Sequence, residues 1–467
     1  MQSNPPKMPD AVLPYLKTPP KYNGAWVFAD SSNRGAYKTQ RLTLMPRAGV
    51  AIRINDRTAI RAGYARYVTP PVVIQNTLAS GVLPMYGYSY RTNVAPSING
   101  VPQAKLSNPF PPSYPLTMPL EKSLGRYTNL GDSPFFFDQT MHTGVNDRWN
   151  FSIQRHLWNQ IHFDFTYFMN FGHNLPYNLA LNMQDPQNSY TYKSAIDAPV
   201  PNPFYKYLTP DKFPGSLRND ATVTIARLLN PYPQYGGISQ QYTEGFLNRY
   251  KAFQFRFQRA FSKGYSFIFS YNYNQEKNSQ FFNSPDQYAN KSTLIAGTMP
   301  RHRASVAGSY DFPFGKGRPY LNNLHPVLNA IIGGWQTSHL LMANSGNLLS
   351  FGQMVTDGSS PKLDDRTPLK MFDTAKFQRP VSYTPRTNPL DYPGVTGPKY
   401  WNLDSTLTKV FPIKERYNLE FRWEAYNSPN GFVWANPTMG VTSTLFGRCT
   451  NQVNRGREMQ LSLRLMF

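Results

Sequence analysis

The carboxy-terminal stretch Met459-Gln-Leu-Ser-Leu-Arg-Leu-Met-Phe467 alternates apolar with mostly polar side chains. A strand that separates lipid from water must alternate with period two, and a tilted strand crosses a bilayer in about 9 to 11 residues. One side of this stretch is wholly apolar and carries Met459, Leu461, Leu463, Leu465 and Phe467. The pattern predicts a membrane-spanning β-strand, although a strand that stood alone would suit the edge of a soluble sandwich better.

Five pairs of alternating segments precede this strand, and each pair has the pattern of a β-hairpin. They are Arg47 to Ile54 with Thr58 to Tyr67, Trp149 to Leu157 with Ile161 to Phe171, Phe253 to Phe261 with Tyr265 to Asn274, Arg303 to Tyr310 with Trp335 to Ala343, and Trp401 to Val410 with Asn418 to Tyr426. The sequence thus predicts an all-β protein of about eleven antiparallel strands.

The connections between these strands sort by length. Turns inside the hairpins are short, except in the fourth pair, whose connection includes an expected short helix at Pro326 to Ile332. Segments between hairpins, such as Val68 to Arg148 and Gly172 to Arg249, are long and rich in Pro, Asn and Tyr. Short turns on one side and long loops on the other are typical of a transmembrane β-barrel, whereas the loops of a soluble propeller or sandwich need not sort in this way.

Composition agrees with a barrel. Aromatic residues make up 15% of the 467 residues and charged residues only 16%, as expected where aromatic rings line both membrane interfaces. The 42 Pro and 31 Gly suit long surface loops. The longest apolar run, Val327 to Trp335, is far shorter than the roughly 18 residues that a transmembrane helix needs. Any crossing of a membrane is therefore expected to use strands.

The formal net charge of +22 raises nucleic acid as a partner, because clustered Lys and Arg release phosphate counterions. In this chain Lys and Arg occur singly, as at Arg53, Arg256 and Lys316, and no nucleic-acid-binding motif accompanies them. We expect no nucleic-acid partner. Scattered cations are better suited to an aqueous lumen, to anionic lipid or to the attraction of an anionic solute.

The sequence gives little support to catalysis or metal binding. Cys449 is the only cysteine, and the seven His residues show no spacing typical of metal ligands. Asp364 and Asp365 are adjacent in a Pro-rich loop without a nearby His or nucleophile, which is more typical of a solvated surface than of a proton-sharing pair. We expect no catalytic residue, no metal and no cofactor, and the chain is not expected to be an enzyme.

The strand count predicts an incomplete barrel. If the carboxy terminus lies on the side of the short turns, the first strand, Arg47 to Ile54, runs inward without an obvious upstream partner, and lipid cannot satisfy an open strand edge. Residues 1–45 are expected to be the tail of an extracellular loop or an irregular segment, and residues 46–467 the carboxy-terminal part of a larger barrel. Met1 to Lys7 lack the pattern of a signal peptide, so either the protein is cytosolic or its true beginning is missing. The open strand edge favours a missing amino-terminal part.

A series of short strand and turn segments runs from Pro46 to the end of the chain. The segments are Pro46-Arg-Ala-Gly-Val-Ala-Ile, Arg61-Ala-Gly-Tyr, Trp149-Asn-Phe-Ser-Ile-Gln-Arg, Phe255-Arg-Phe-Gln-Arg-Ala-Phe-Ser-Lys-Gly, Arg301-His-Arg, Phe312-Pro-Phe-Gly-Lys-Gly-Arg, Gly333-Gly-Trp-Gln, Tyr400-Trp-Asn-Leu-Asp, Phe411-Pro-Ile-Lys-Glu-Arg, Glu424-Ala-Tyr-Asn and Phe446-Gly-Arg. Their order and spacing resemble the carboxy-terminal barrel of TonB-dependent outer-membrane receptors, specifically the Oar-like group.

The resemblance implies a receptor and transporter in the outer membrane, with about 22 strands and a plugged lumen, that moves a bulky solute inward. It also implies that Leu461, Leu463, Leu465 and the terminal Phe467 form the signal read by the barrel-insertion machinery. No plug or TonB-contacting segment is recognisable, so contact with TonB is expected only through the missing amino-terminal part. At Asn427-Ser-Pro-Asn430, the expected start of the last external loop, the chain departs from the Asn-aliphatic-Phe-Asn pattern of the family.

Polar side chains on the strands are candidates for contact with the solute. The candidate lumen-facing residues are Gln254, Arg256, Gln258, Asn272, Asn274, Glu420, Arg422 and Glu424. A wall residue that is hydrogen-bonded only to its neighbours is the simpler interpretation of each one. Two other functions remain open: a passive, porin-like channel, and a surface adhesin or sugar-binding β-protein that uses Tyr-rich loops such as Pro84-Met-Tyr-Gly-Tyr-Ser-Tyr90.

Overall fold

The structure is a computed structural model of the 467-residue chain. It describes residues 4–69, 97–281, 292–414 and 417–467, apart from residues 29, 33, 35–37, 39, 41, 117, 119 and 141. The Tyr-rich segment Pro84 to Tyr90 lies outside the described residues.

Within these described ranges, eleven long strands form one antiparallel sheet in which each strand pairs with the next along the chain. They are β1 (Arg47–Asn55), β2 (Thr58–Thr69), β3 (Gly144–His156), β4 (Ile161–Ala180), β5 (Ser239–Ser262), β6 (Tyr265–Phe281), β7 (His302–Asp311), β8 (Trp335–Asn344), β9 (Tyr400–Lys414), β10 (Tyr417–Tyr426) and β11 (Glu458–Met466). The predicted all-β antiparallel architecture, its strand count and its hairpins are confirmed.

Shorter elements lie in the connections. Phe135–Phe137 pairs in parallel with β5, Ser292–Ala296 pairs with β6, and three two-stranded sheets stand apart from the main sheet. The α-helices are α1 (Pro186–Tyr192), α2 (Ile225–Leu228) and α3 (Pro326–Ile332), and the last of these confirms the helix expected between β7 and β8. In the described part of the chain no helix is both long and apolar enough to span a membrane.

Strand register sorts the side chains onto two faces. Residues that are directly paired in an antiparallel sheet point to the same side. One line of such partners crosses β1 to β9 and consists of Ile52, Ile60, Ile153, Phe165, Phe255, Tyr271, Ala304, Ala343 and Trp401. We call this line the apolar row, and it is completely free of charged residues.

The adjacent line of partners lies on the opposite face. It consists of Ala51, Arg61, Ser152, Thr166, Gln254, Asn272, Arg303, Asn344 and Tyr400, and we call it the polar row. The polar face is not uniform, since Leu340 and Met342 of β8 share its parity. Even so, a single register divides the sheet into an apolar side and a largely polar side.

The apolar side is exposed to its surroundings. Large exposed apolar residues on it include Val50, Ile52, Phe253, Val306, Leu341, Leu461 and Leu463. An exposed apolar surface of this extent marks contact with a membrane or another protein. β1 pairs only with β2, and β11 pairs only with β10, among the strands that the structure describes. The described sheet therefore has two free edges.

Most of the large buried apolar residues gather in the long loops, whereas few lie on the sheet. The first loop cluster joins the amino-terminal segment to the β2–β3 and β4–β5 connections and contains Met8, Val12, Leu130, Ile196, Phe204, Phe213 and Leu228. The backbone N–H of Gly131 donates to the carbonyl of Gln234 at 3.0 Å, and that of Gly215 to the carbonyl of Leu130 at 2.9 Å. The amino-terminal residues of this cluster, which lie between Met8 and Tyr22 and include a 3-10 helix at Asp10–Tyr15, thus pack against distant loops.

The second loop cluster joins the β8–β9 connection to the last loop. It contains Leu349, Phe351, Met354, Met371, Phe372, Phe377, Tyr392, Val395 and Cys449. Backbone bonds tie the two loops, from Met371 N to Gly447 O at 3.0 Å and from Cys449 N to Pro368 O at 2.7 Å. Both clusters lie at the long-connection end of the sheet, so this end is built of folded loops.

We predict that an arginine is tolerated on the polar face and not on the apolar face. Phe255→Arg would place a charge among the rings of Phe165 and Tyr271, whose centroids lie 5.1 and 6.2 Å from that of Phe255. The expected cost is about 2–4 kcal/mol near the bilayer midplane, as measured by chemical unfolding in phospholipid vesicles. Gln254→Arg, one residue away, is the matched control and should change the free energy of unfolding little. An equal loss in both variants would contradict the assignment of faces.

We predict that acidification stabilises the first loop cluster through Asp132. Burial raises the pKa of this carboxyl above its ordinary value, although the backbone N–H of Ser216 opposes the shift. Since the folded pKa is the higher one, stability is lost as the pH rises from the ordinary value through the raised value. Asp132→Asn should remove this loss and stabilise the cluster at pH 7.

Hydrogen exchange of residues 182–238, corrected for the intrinsic pH dependence of exchange, measures this effect between pH 3.8, the ordinary pKa of this carboxyl, and pH 7. Asp211→Asn is the control of opposite sign, because the pKa of Asp211 is lowered, chiefly by a hydrogen bond from Thr209. Exchange in Asp132→Asn that remains as pH-dependent as in the unaltered protein would show that another group is responsible.

Candidate functional site

The candidate site is the polar face of the sheet, which consists of every second residue along each strand. Gln254 pairs directly with Asn272, and Asn272 pairs with Arg303. Arg256 and Gln258 share the parity of Gln254 on β5, and Glu420, Arg422 and Glu424 pair with Arg464, Ser462 and Gln460 on β11. The register therefore places all eight candidate residues on a single face, opposite the apolar row.

Part of the polar row lines a recess of about 430 Å³. Gln254, Arg256 and Asn272 contribute to it, together with Arg303 and Asn344 from β7 and β8. The recess offers two guanidinium groups and three carboxamides, so it can donate several hydrogen bonds to oxygen atoms of a bound molecule. Sequence reasoning did not single out Arg303 and Asn344, although their strand parity in the fourth hairpin would have revealed them.

Asn274 has a different role from its neighbours. Its side chain is buried and donates to the carbonyl of Pro300 at 3.0 Å and to Asn272 Oδ1 at 3.3 Å. Its backbone N–H donates to Arg301 O at 2.9 Å. These bonds attach the β6–β7 connection to the sheet, which is the behaviour of a wall residue.

The three candidates on β10 form a second group away from the recess. Arg422 donates to Glu424 from its Nε, with Nε and Oε1 separated by 3.0 Å. Arg422 remains partly exposed, and Glu420 lies opposite Arg464. Carboxylates and guanidinium groups thus alternate on this strand, and the local charge is nearly balanced.

A chain of side-chain hydrogen bonds crosses the polar face nearer the long loops. Asn170 Nδ2 donates to Asn146 Oδ1 and to Asn248 Oδ1, both at 3.2 Å. Asn248 Nδ2 donates to Asn278 Oδ1 at 2.7 Å and to Glu276 Oε1 at 3.3 Å. We call this set the asparagine ladder. Its members were not among the predicted site residues. Asn146, Asn248 and Asn278 lie outside the predicted strand segments, and Asn170 lies near the end of one.

Asn427 fixes the start of the last loop. Its Nδ2 donates to the carbonyls of Gly431 and Arg455, each at 2.9 Å, and its Oδ1 accepts from Gly431 N at 2.9 Å. Asp404 Oδ1 accepts from the backbone N–H of Asn427 at 2.9 Å. Asp404 and Asn427 also line a second recess of about 430 Å³ between β9, β10 and this loop. The loop thus begins at a buried side chain with both of its amide atoms bonded.

Other predicted features occupy separate places. The residues assigned to the insertion signal, Leu461, Leu463, Leu465 and Phe467, are all exposed at the free edge formed by β11. Asp364 is exposed and lies 3.5 Å from Lys362 Nζ. Within the described ranges no group of three or more His, Cys, Asp or Glu side chains could hold a metal ion. The roles assigned to the eight lumen candidates and to the insertion signal stay predictions.

Comparison with solved structures finds several outer-membrane receptors. One is the outer membrane transporter YddB from Escherichia coli, with a TM-score of 0.43 and 10% identity, covering 88% of this chain and 39% of that chain. The pyoverdine outer membrane receptor FpvA from Pseudomonas aeruginosa PAO1 gives 0.39 and 11%, covering 91% and 36%. The ferric-catecholate import receptor Fiu from K12 E. coli gives 0.39 and 8%, covering 90% and 34%. The chain therefore spans less than two fifths of these proteins.

None of the curated proteins matches the chain. The model of one protein family, the outer membrane beta barrel domain, matches residues 5–460. That span includes ten of the long strands entirely and both loop clusters. The chain belongs to the outer membrane beta barrel domain family and is a β-barrel protein of the outer membrane.

Proposed function

We propose that the chain is the carboxy-terminal part of a TonB-dependent receptor of the Oar-like group, and that a bulky solute passes inward along its polar face. The observation that carries this proposal is the polar row, which continues from β2 to β9 and is backed on the opposite face by the uncharged apolar row. A polar surface of this length, backed by an apolar one, suits a wall between lipid and an aqueous path.

The larger barrel is supported by the two free edges. Unpaired backbone groups of β1 and β11 cannot be satisfied in hydrocarbon, so further strands would have to pair with them. In this proposal the additional strands and a plug belong to an amino-terminal part of the receptor, and contact with TonB is made by that part alone.

The long loops would receive the solute first. The two loop clusters have their own apolar cores, so they can hold a binding surface in a fixed shape at the outer end. The recess that contains Arg256, Asn272 and Arg303 would follow on the inward path. Its two guanidinium groups favour a solute that carries carboxylate, phosphate or other anionic oxygen atoms.

We predict that polar-face positions react with a water-soluble maleimide and that apolar-face positions do not. The experiment uses the full chain in outer-membrane vesicles with Cys449→Ser as the background. Gln254→Cys and Arg422→Cys should be labelled, whereas their neighbours Phe255→Cys and Phe421→Cys should be shielded by lipid. Equal labelling of the neighbours would contradict a water-filled path on the polar side.

We predict that Arg303→Ala lowers uptake of an anionic solute and leaves the barrel intact. Uptake of an iron-55-labelled ferric catecholate is measured in cells that carry the full-length receptor, with and without TonB. The matched control is Arg464→Ala, which removes a guanidinium from β11 outside the recess. Uptake that persists without TonB and a steady conductance in planar bilayers would instead favour the passive channel. Tight binding of a sugar without any uptake would favour an adhesin.

A further inference from the structure

The connection between β7 and β8 contains a helix whose apolar residues are exposed and whose polar residue is partly covered. α3 exposes Val327, Leu328 and Ile331, with exposed fractions of 61%, 48% and 62%. The polar Asn329 is instead the partly covered residue of the helix. A surface helix of a water-soluble protein covers its apolar stripe and exposes its polar residues. The surroundings of α3 should therefore be apolar.

The covered side of α3 is fixed by polar and close backbone contacts. Asn329 Oδ1 accepts from the backbone N–H of Lys316 at 2.7 Å. Gly315 and Gly333 approach so closely that a Cβ built on Gly315 would lie 2.7 Å from the Cα of Gly333. Gly315 also has a φ of 107°, a conformation that favours glycine. The helix is thus held in one orientation by the turn that precedes it, and its apolar residues stay outward.

The end of α3 is attached to the apolar face of the sheet. The carbonyl of Ile331 accepts from Trp335 Nε1 at 2.8 Å and from Lys409 Nζ at 2.9 Å. Lys409 is only 2% exposed, and its ammonium lies 4.9 Å from the ring centroid of Trp335 and 5.0 Å from that of Phe411. Trp335 and Lys409 are paired across β8 and β9 on the side of the apolar row. The lysine charge is therefore satisfied inside the protein.

Trp335 indicates the depth of α3 relative to the membrane. Tryptophan is enriched at the membrane–water interface, where its ring is apolar and its N–H can still be bonded. The ring of Trp335 meets that of Phe421 edge to face at 6.1 Å, so the surface of α3 continues the apolar surface of β8 to β10. Tyr320 and Leu321, on the same connection, are also exposed.

We propose that α3 is an interfacial helix, whose Val327, Leu328 and Ile331 side chains lie among phospholipid at the boundary of headgroups and acyl chains, in the leaflet at the short-connection end. Such helices lie in the plane of the membrane with the apolar side about 5 to 10 Å into that boundary. Continuity with the lipid-facing strands selects lipid as the occupant. The inference rests on the outer-membrane location and does not depend on the transported solute.

Site-specific fluorescence tests the location of α3. Ile331→Cys in the Cys449→Ser background is labelled with the dye NBD and reconstituted in vesicles of phosphatidylethanolamine and phosphatidylglycerol. Because Ile331 is exposed, the label replaces no packing contact. Asn323→Cys, an exposed polar position on the same connection, is the aqueous control. Leu341→Cys, on the apolar face of β8, is the membrane control.

The label at Ile331 should lose most of its fluorescence to lipids that carry a nitroxide near the headgroup, and should be protected from iodide in the water. The Asn323 label should show the reverse, and the Leu341 label should respond best to a nitroxide deep in the acyl chains. Quenching by iodide at Ile331 as strong as at Asn323 would place the helix in water and overturn the proposal. Protection from both quenchers would also overturn it, since a protein would then cover the helix.

A measurement without a label checks the same contact. Ile331→Asp should lower the midpoint of thermal unfolding in vesicles, because the carboxylate would have to leave water or lift the helix from the membrane. Asn323→Asp should leave the midpoint unchanged. No difference between these two variants in vesicles would contradict the presence of lipid around Ile331.

Discussion

The structure depends on the requirement that every backbone N–H and C=O within hydrocarbon finds a partner. Between neighbouring strands of this sheet the ladder of backbone hydrogen bonds supplies those partners, so the register is kept where the polar row and the apolar row cross the strands. A slip of one residue would exchange the two faces of a strand. The polar row and the apolar row differ by one position in every strand from β1 to β9, and both exist because the register is kept through all of them.

Charged side chains on the apolar face of the sheet also need a partner within the protein. Asp147 lies on that side and accepts from Tyr64 at 2.6 Å, from Arg66 at 2.8 Å and from His173 at 3.0 Å. Lys409 is bonded to Ile331 and covered by aromatic rings. Ionisable groups at membrane depth are costly unless they are paired or turned inward. Each of these groups has its partner within the protein, so the lipid-facing surface keeps few unsatisfied charges.

The alternation of apolar and polar side chains was enough to predict the strands, but not the residues at which they begin and end. β4 continues past Phe171 to Ala180, and β5 begins at Ser239, well before the first residue of the predicted segment. The added lengths contain register shifts, such as that between Glu244 and Phe246, which interrupt the alternation. Beyond the membrane, strands need no apolar face, so the alternation of apolar and polar side chains stops before the strand ends. Most of the asparagine ladder lies in this region. Recognition of the loop clusters requires contacts such as those of Val12 with residues 196–235, and no local pattern reveals them.

The location of the buried residues follows from the two solvents that the chain meets. On the apolar side of the sheet, lipid takes the place of a protein core, so those residues remain exposed in the protein itself. In the loops water is the solvent, and burial of Phe204, Phe351 and Phe372 supplies the usual hydrophobic stabilisation. The two regions are therefore stabilised by different interactions. Contact with lipid and backbone pairing stabilise the sheet, and burial of apolar groups away from water stabilises the loops. A change of detergent or lipid should act first on the sheet, whereas a denaturant that solvates apolar groups should act first on the loops. The loops and the membrane wall can thus vary in sequence independently.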